Sequence, residues 1–166
     1  MGVSGTGKTT IGRMLAARLG LPYADADDFH TAANIAKMSA GVPLDDADRR
    51  PWLSTVGGWL HDRVAEGSGG VIACSALKRS YRDILRAAAP DAFFLLLIAD
   101  RALLSERLDR RGGHFMSASL LDSQLAALEP LLATEAGAAL HVGPGPEEMA
   151  EQAFALVRGF AGRGPD

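Results

Sequence analysis

Cysteine is almost absent from the chain: Cys74 is the single one among 166 residues. An intramolecular disulfide is therefore excluded, and one thiol argues against a cysteine-based zinc site. A protein without disulfides suits a reducing compartment, so we expect a cytoplasmic location.

Long apolar runs are also missing. The longest uninterrupted one spans residues 92–99 and has eight residues, whereas a membrane-spanning helix needs about 20. The first residues do not form a charged segment followed by an apolar one, which is the pattern of a secretory signal. We therefore expect no membrane partner.

The chain has no surplus of basic residues. Its 17 basic and 20 acidic residues give a net charge of −3, whereas nucleic-acid-binding domains usually carry a basic surplus. We therefore expect no nucleic-acid partner. A local group of arginines at positions 101, 107, 110 and 111 suits a phosphorylated small molecule better than a polyanion.

The length and the 48% hydrophobic content indicate one globular domain over residues 1–166. Short apolar segments at 21–24, 71–75, 93–99 and 140–142 are typical of buried strands, and amphipathic helical patterns separate them. This alternation predicts an α/β fold with a parallel sheet flanked by helices. Ligands of such sheets bind beyond the carboxyl ends of the strands.

The first motif is glycine-rich. Residues 2–9 read Gly-Val-Ser-Gly-Thr-Gly-Lys-Thr, which matches the phosphate-binding P-loop at every fixed position. Lys8 would reach the β- and γ-phosphates of ATP and act in catalysis, and the Thr9 hydroxyl would help to hold Mg²⁺. The candidate nucleotide ligands are Gly2, Val3, Ser4, Gly5, Thr6, Gly7, Lys8, Thr9 and Thr10.

An acidic segment follows the strand at 21–24 and should face the γ-phosphate. In it, the Asp27 carboxylate could accept a proton from an attacking hydroxyl or hold Mg²⁺ through water. Helix capping by Asp27 or Asp28 is an equally good interpretation at this stage. His30, taken alone, is more typical of a structural histidine.

Several further blocks resemble the gluconate kinases of the P-loop nucleoside-monophosphate-kinase-like group. The resemblance runs from Gly2 to about Pro130. Its blocks after the P-loop are Asp25-x-Asp27-x-x-His30, Asn34-Ile35-x-Lys37-Met38, Gly41-x-Pro43-Leu44-x-Asp46-x-Asp48-Arg49-x-Pro51-Trp52-Leu53, Cys74-Ser75-Ala76-Leu77-Lys78-x-x-Tyr81-Arg82-Asp83, Arg107-Leu108-x-x-Arg111-x-x-His114-Phe115 and Gln124-x-x-x-Leu128-Glu129-Pro130.

The resemblance implies ATP-dependent phosphorylation of D-gluconate on its terminal hydroxyl. It also implies a five-stranded parallel sheet, a substrate-binding segment at about 28–66 and a lid at about 107–118. In the lid, Arg107 would cover the nucleotide and Arg111 would stabilise the transferring phosphoryl group. The candidate substrate ligands are Asp27, His30, Arg49, Lys78, Arg82, His114 and Gln124.

Arg49 is the candidate partner of the gluconate carboxylate, because a carboxylate needs a cation at one end of the site. A surface salt bridge to Asp45 or Asp46 is the other interpretation of this arginine. Lys78 would point into the cleft from the start of a helix. Tyr81 and Trp52 are interpreted as core residues, and Cys74 as a small buried hydrophobe.

The chain departs from the family in one respect, since only Met1 precedes Gly2, where relatives have a hydrophobic strand. We therefore expect a natural product that begins several apolar residues upstream, or else an unstable or nearly inactive protein. Two other functions stay open: a kinase for another small acid or a nucleotide, such as shikimate or a nucleoside monophosphate, and an ATP-binding module without catalysis. A homodimer is compatible with every one of these functions.

Overall fold

The computed structural model describes residues 1–110, 118–143 and 145–162, and strands alternate with helices through them. The elements are α1 (Lys8–Leu19), β1 (Tyr23–Asp25), a 3-10 helix (Ala26–Phe29), α2 (Ala32–Ser39), α3 (Asp46–Ala65), β2 (Val71–Ala73), α4 (Arg79–Ala88), β3 (Phe94–Ile98), α5 (Arg101–Arg110), α6 (Ala118–Ala127), β4 (Gly137–His141) and α7 (Pro146–Ala161). The predicted α/β class is confirmed, and each of the four strand predictions overlaps an observed strand.

The prediction of one five-stranded sheet is wrong for the described residues. The four strands form two separate parallel pairs: β1 lies beside β2, with Tyr23 opposite Val71, and β3 lies beside β4, with Phe94 opposite Gly137. Both pairs have the parallel orientation that the sequence predicts.

Between the two pairs, Met1 hydrogen-bonds to β3 as a strand residue would. Its amino group donates to the Leu95 carbonyl oxygen over 2.6 Å, and its carbonyl oxygen accepts from the Leu97 amide over 2.9 Å. The next residue, Gly2, donates to the Ser75 carbonyl oxygen over 3.1 Å. Alongside this position lies a largely apolar cavity of about 350 Å³ between β2 and β3.

Helix α3 positions the acidic segment of the candidate site. It begins with a capping box in which Asp45 and Asp48 each accept the other's backbone N–H, so its start is firmly fixed. One turn later the Trp52 indole donates to the Ala26 carbonyl oxygen over 2.7 Å. Trp52 is 3% exposed, as predicted for a core residue, and it attaches the 3-10 helix to α3.

Cys74 is buried at the end of β2, as predicted. Burial raises the pKa of its thiol to about 11, so the nucleophilic thiolate is scarce at neutral pH. Among the described helices, none has the length and apolar character needed to cross a membrane.

Candidate active site

The P-loop has the backbone that its glycines predict. Gly2, Gly5 and Gly7 have φ angles of +133°, +86° and +92°, a region that side-chain-bearing residues rarely adopt. A Cβ atom on Gly2 would also lie 2.6 Å from the Leu97 carbonyl oxygen. The loop leads directly into α1, whose first turn has no side-chain cap, so its N–H groups suit a phosphate.

Side chains of the loop bind its own backbone. The Lys8 ammonium donates to the Val3 carbonyl oxygen over 3.0 Å, and the buried Thr6 hydroxyl donates to the same oxygen over 2.9 Å. Lys8 is therefore held over the loop, where a triphosphate would bind.

Thr9 and Asp25 form a small oxygen-rich site beside the loop. The Thr9 hydroxyl donates to Asp25 Oδ2 over 2.9 Å, and the Tyr23 hydroxyl donates to the same atom over 3.2 Å. Hydroxyl and carboxylate oxygens are what Mg²⁺ takes beside phosphates and water, so the donor set fits this ion. The described residues contain no cluster of three or more His, Cys, Asp or Glu suited to a metal. Asp25 is therefore a second candidate ligand beside Thr9. The sequence indicated Asp25 only as part of an acidic segment.

Arg107 contacts the P-loop from α5. Its Nη1 donates to the Gly5 carbonyl oxygen over 3.3 Å, and a cavity of about 250 Å³ lies between the loop, α5 and the start of α7. Thr10 and Arg107, two of the predicted nucleotide ligands, line this cavity. Arg110 lines it too, with a side chain that is 77% exposed.

Asp27 reaches into the cleft from the 3-10 helix, and its side chain is 87% exposed. Lower solvation and the negative charge of Asp25 raise its pKa, and the positive charge of Lys8 opposes the rise. Capping does not account for Asp27, because Asp25 caps the 3-10 helix by accepting the Asp27 backbone N–H. The carboxylate is therefore open to a ligand beside Lys8.

His30 is a buried neighbour of Asp27. Its ring stacks on Trp52 with the centroids 4.3 Å apart, and its side chain is only 5% exposed. Burial lowers its pKa, with the charge of Arg49 acting in the same direction and Asp27 opposing them, which favours the neutral ring. Asn34 Nδ2 lies 3.5 Å from Nδ1, which assigns the proton to Nε2, 4.0 Å from the Asp27 carboxylate.

A second polar group, which we call the Tyr81 cluster, joins the starts of α3 and α4: Asp46, Arg49, Lys78 and Tyr81. Lys78 Nζ donates to both carboxylate oxygens of Asp46 over 2.8 and 3.0 Å, and the Tyr81 hydroxyl donates to Asp46 Oδ1. Arg49 Nη1 donates to the Tyr81 hydroxyl over 3.3 Å. Both cations lie near the Tyr81 ring, with Arg49 Cζ 5.8 Å and Lys78 Nζ 5.4 Å from its centroid.

The cluster revises two interpretations made from sequence. Tyr81 is buried, as predicted for a core residue, but its hydroxyl lies among the charged groups. Arg49 does not form the alternative salt bridge to Asp45 or Asp46; it contacts Asp46 only through Tyr81. The hydrogen bond from Lys78, and after it the one from Tyr81, lowers the pKa of Asp46.

Arg82 does not face the cleft, which corrects the prediction that it binds substrate. Its side chain is completely buried, and it donates to the two Glu135 carboxylate oxygens over 2.6 and 2.8 Å. It also donates to the carbonyl oxygens of Leu77, Glu129 and Pro130 over 3.1 to 3.2 Å. Arg82 therefore fixes the segment after α6 to the start of α4.

Gln124 contacts the P-loop: its Oε1 accepts the Ser4 backbone N–H over 2.7 Å. In this structure it joins α6 to the loop, and its predicted contact with the substrate stays a prediction. The predicted roles of Arg111 and His114 concern residues outside those that the structure describes.

The comparisons with known proteins agree with this arrangement. A family model described as shikimate kinase matches residues 4–140. A gluconokinase of Gluconobacter oxydans (strain 621H) is 54% identical over 129 residues, which cover 78% of this chain and 72% of that protein. Two solved structures superpose closely on this one. A sugar kinase from Janibacter sp. HTCC2649 has a TM-score of 0.90 and 47% identity, covering 95% of this chain and 91% of that one. A gluconokinase from Sinorhizobium meliloti 1021 has a TM-score of 0.86 and 42% identity, covering 98% and 91%.

Proposed function

Because the chain belongs to the gluconokinase family of P-loop kinases, we propose that it transfers the γ-phosphoryl group of ATP to D-gluconate. The products are 6-phospho-D-gluconate and ADP. The observation that carries this proposal is that Asp27 and His30, 4.0 Å apart, feel the charges of Lys8 and Arg49 respectively. These two residues thereby connect the P-loop with the cationic Tyr81 cluster, which suits a substrate that is a carboxylate at one end and a hydroxyl at the other.

Arg49 binds the carboxylate end. Only its Nη1 is engaged in a hydrogen bond among the described residues, to Tyr81, so its other N–H groups can receive a carboxylate in the forked geometry that arginine favours. Lys78 is the second cation at this end, 32% exposed at the start of α4. The hydroxyls along the chain of gluconate find Asp27 and the Nε2–H of His30 on the way to the P-loop.

The reacting end lies at Asp27 and Lys8. Asp27 accepts the proton of the attacking terminal hydroxyl, and its raised pKa makes it a stronger base than an ordinary aspartate. Lys8 and Arg107 stabilise charge on the phosphates. Mg²⁺, held by Thr9 and through water by Asp25, would supply charge neutralisation at the β- and γ-phosphates.

The same proposal treats residues 1–166 as one kinase domain that works in the cytoplasm. Its substrate-binding segment spans about 28–66, and its lid about 107–118 contains Arg111, which would stabilise the transferring phosphoryl group. The substrate-binding segment rests on the resemblance. The lid rests on the resemblance and on the contact of Arg107 with the Gly5 carbonyl oxygen.

A substrate panel tests the proposal against the shikimate-like and nucleotide-kinase alternatives. The purified chain, ATP and Mg²⁺ are mixed with D-gluconate, shikimate or a nucleoside monophosphate, and ADP release is followed. We expect release only with gluconate. Release with shikimate or the nucleotide alone would contradict the assignment, and no release with any of them would favour the ATP-binding module.

A further inference from the structure

Lys78 and Tyr81 of the Tyr81 cluster already hold a carboxylate in this structure. Both oxygens of Asp46 accept from Lys78, and the Tyr81 hydroxyl also donates to one of them. An ammonium and a phenolic hydroxyl are partners that a free carboxylate of a sugar acid would also seek.

An incoming carboxylate could replace Asp46 as the hydrogen-bond acceptor of Lys78 and Tyr81. It lies in the first turn of α3, and its side chain is 50% exposed. The Lys78 side chain is 32% exposed, so solvent reaches the pair from the cleft. The capping of α3 does not need Asp46, because Asp45 and Asp48 form the capping box.

We propose that Asp46 is the internal counter-anion of the substrate site and competes with the carboxylate of the substrate for Lys78 and Tyr81. With Arg49 and Lys78 positive and Asp46 negative, the cluster carries one net positive charge, which a single carboxylate neutralises. Asp46 thereby weakens the binding of sugar acids and sets the charge that the site accepts. This inference rests on the proposed function, since it assigns the carboxylate end of gluconate to the cluster.

The variant Asp46→Asn tests it, because the amide keeps the shape and an oxygen acceptor for Tyr81 while removing the charge. We expect the KM for gluconate and its Kd measured by calorimetry without ATP to fall about 2- to 5-fold, the fold-change that corresponds to an exposed ion pair. The kcat should stay within twofold, because the hydrogen bonds of Asp46 are with Lys78 and Tyr81 and not with the P-loop.

Asp45→Asn is the matched control. It removes the same charge one residue earlier, and it keeps the helix cap because asparagine caps as well as aspartate. The side chain of Asp45 hydrogen-bonds to the Asp48 backbone and not to Lys78. Its KM should equal that of the unaltered protein. A neutral analogue, D-gluconamide, is the matched ligand, and its inhibition constant should be the same for Asp46→Asn as for the unaltered protein.

Three results would overturn the proposal: an unchanged or higher KM in Asp46→Asn, an equal fall in Asp45→Asn, or an equal gain for gluconamide. If Asp46→Asn fails to fold by its melting curve, Asp46→Ser replaces it, because serine is also favourable at a helix start. An unaltered protein that does not phosphorylate gluconate at all contradicts the proposed function instead, and calorimetry with gluconate still tests Asp46.

Discussion

Arg82→Met removes the most deeply buried charge of the described residues while keeping much of the side-chain volume. Arg82 and Glu135 are both 0% exposed in their side chains, so the variant leaves the Glu135 carboxylate buried with Arg86 and the Leu132 amide as its remaining partners. Removing one member of a buried ion pair costs about 3–5 kcal/mol, a large share of the 5–15 kcal/mol typical of a domain. We therefore expect the free energy of unfolding to fall by about this amount and the midpoint of urea unfolding to fall with it.

Arg79→Met is the matched control on the same helix. Arg79 is 53% exposed, with its ion-pair partner Asp83 3.9 Å away, so its loss should change the free energy of unfolding by less than about 1 kcal/mol. The double variant Arg82→Met, Glu135→Leu should recover part of the loss, since an apolar pair no longer leaves a buried charge.

The assay has to separate stability from binding. Urea unfolding gives the free energy of unfolding, and initial rates measured well below the melting temperature give the KM for gluconate. A raised KM with unchanged stability would show that Arg82 binds substrate after all, and the structural account of this residue would be refuted.

Three further predictions concern the reaction and acid stability. Lys8→Met should lower kcat by orders of magnitude at an unchanged melting temperature, because Lys8 acts where charge develops; near-normal turnover would contradict the role. Asp27→Asn should slow transfer by roughly 10²–10⁴-fold, as loss of a general base does, while calorimetry shows gluconate still bound; unfolding with normal activity per folded molecule would restore the capping interpretation. Hydrogen bonding from Arg82 lowers the pKa of Glu135 to about 2 from 4.5, so this group contributes stability that is fully present above pH 4.5 and lost as the pH falls towards 2. The whole loss is about 3 kcal/mol, of which about 2 kcal/mol falls between pH 7 and pH 3, and Glu135→Gln should lack this pH dependence when urea unfolding is compared at these two pH values.

The P-loop and its helix could be predicted from sequence because the information is local. Its glycines need positive φ angles, and α1 follows in register. The Asp27 and Arg49 assignments needed the resemblance as well, because an aspartate before a helix and an arginine beside two aspartates have ordinary structural explanations.

The assignment of Arg82 could not be made from spacing. Lys78 and Arg82 are four residues apart on one helical face, yet the Lys78 side chain is 32% exposed and the Arg82 side chain is completely buried. The difference comes from Glu135, 53 residues further along the chain, and no local pattern indicates that contact. The same holds for Gln124, whose partner Ser4 is 120 residues away.

The pairing of the strands is the part of the fold that could not be predicted. Apolar runs identified the four strands, but they do not say which strands lie side by side. The resemblance implied one five-stranded sheet, whereas the described strands form two parallel pairs, with Met1 hydrogen-bonded to β3.

The most direct test of the account is the identity of the product. The protein is incubated with ATP, Mg²⁺ and D-gluconate, and the product is examined by ³¹P and ¹³C NMR. We predict one phosphomonoester, with the phosphorus coupled to the terminal carbon C6 of gluconate. A phosphoryl group on another hydroxyl, or ADP formed with gluconate left unmodified, would contradict the account.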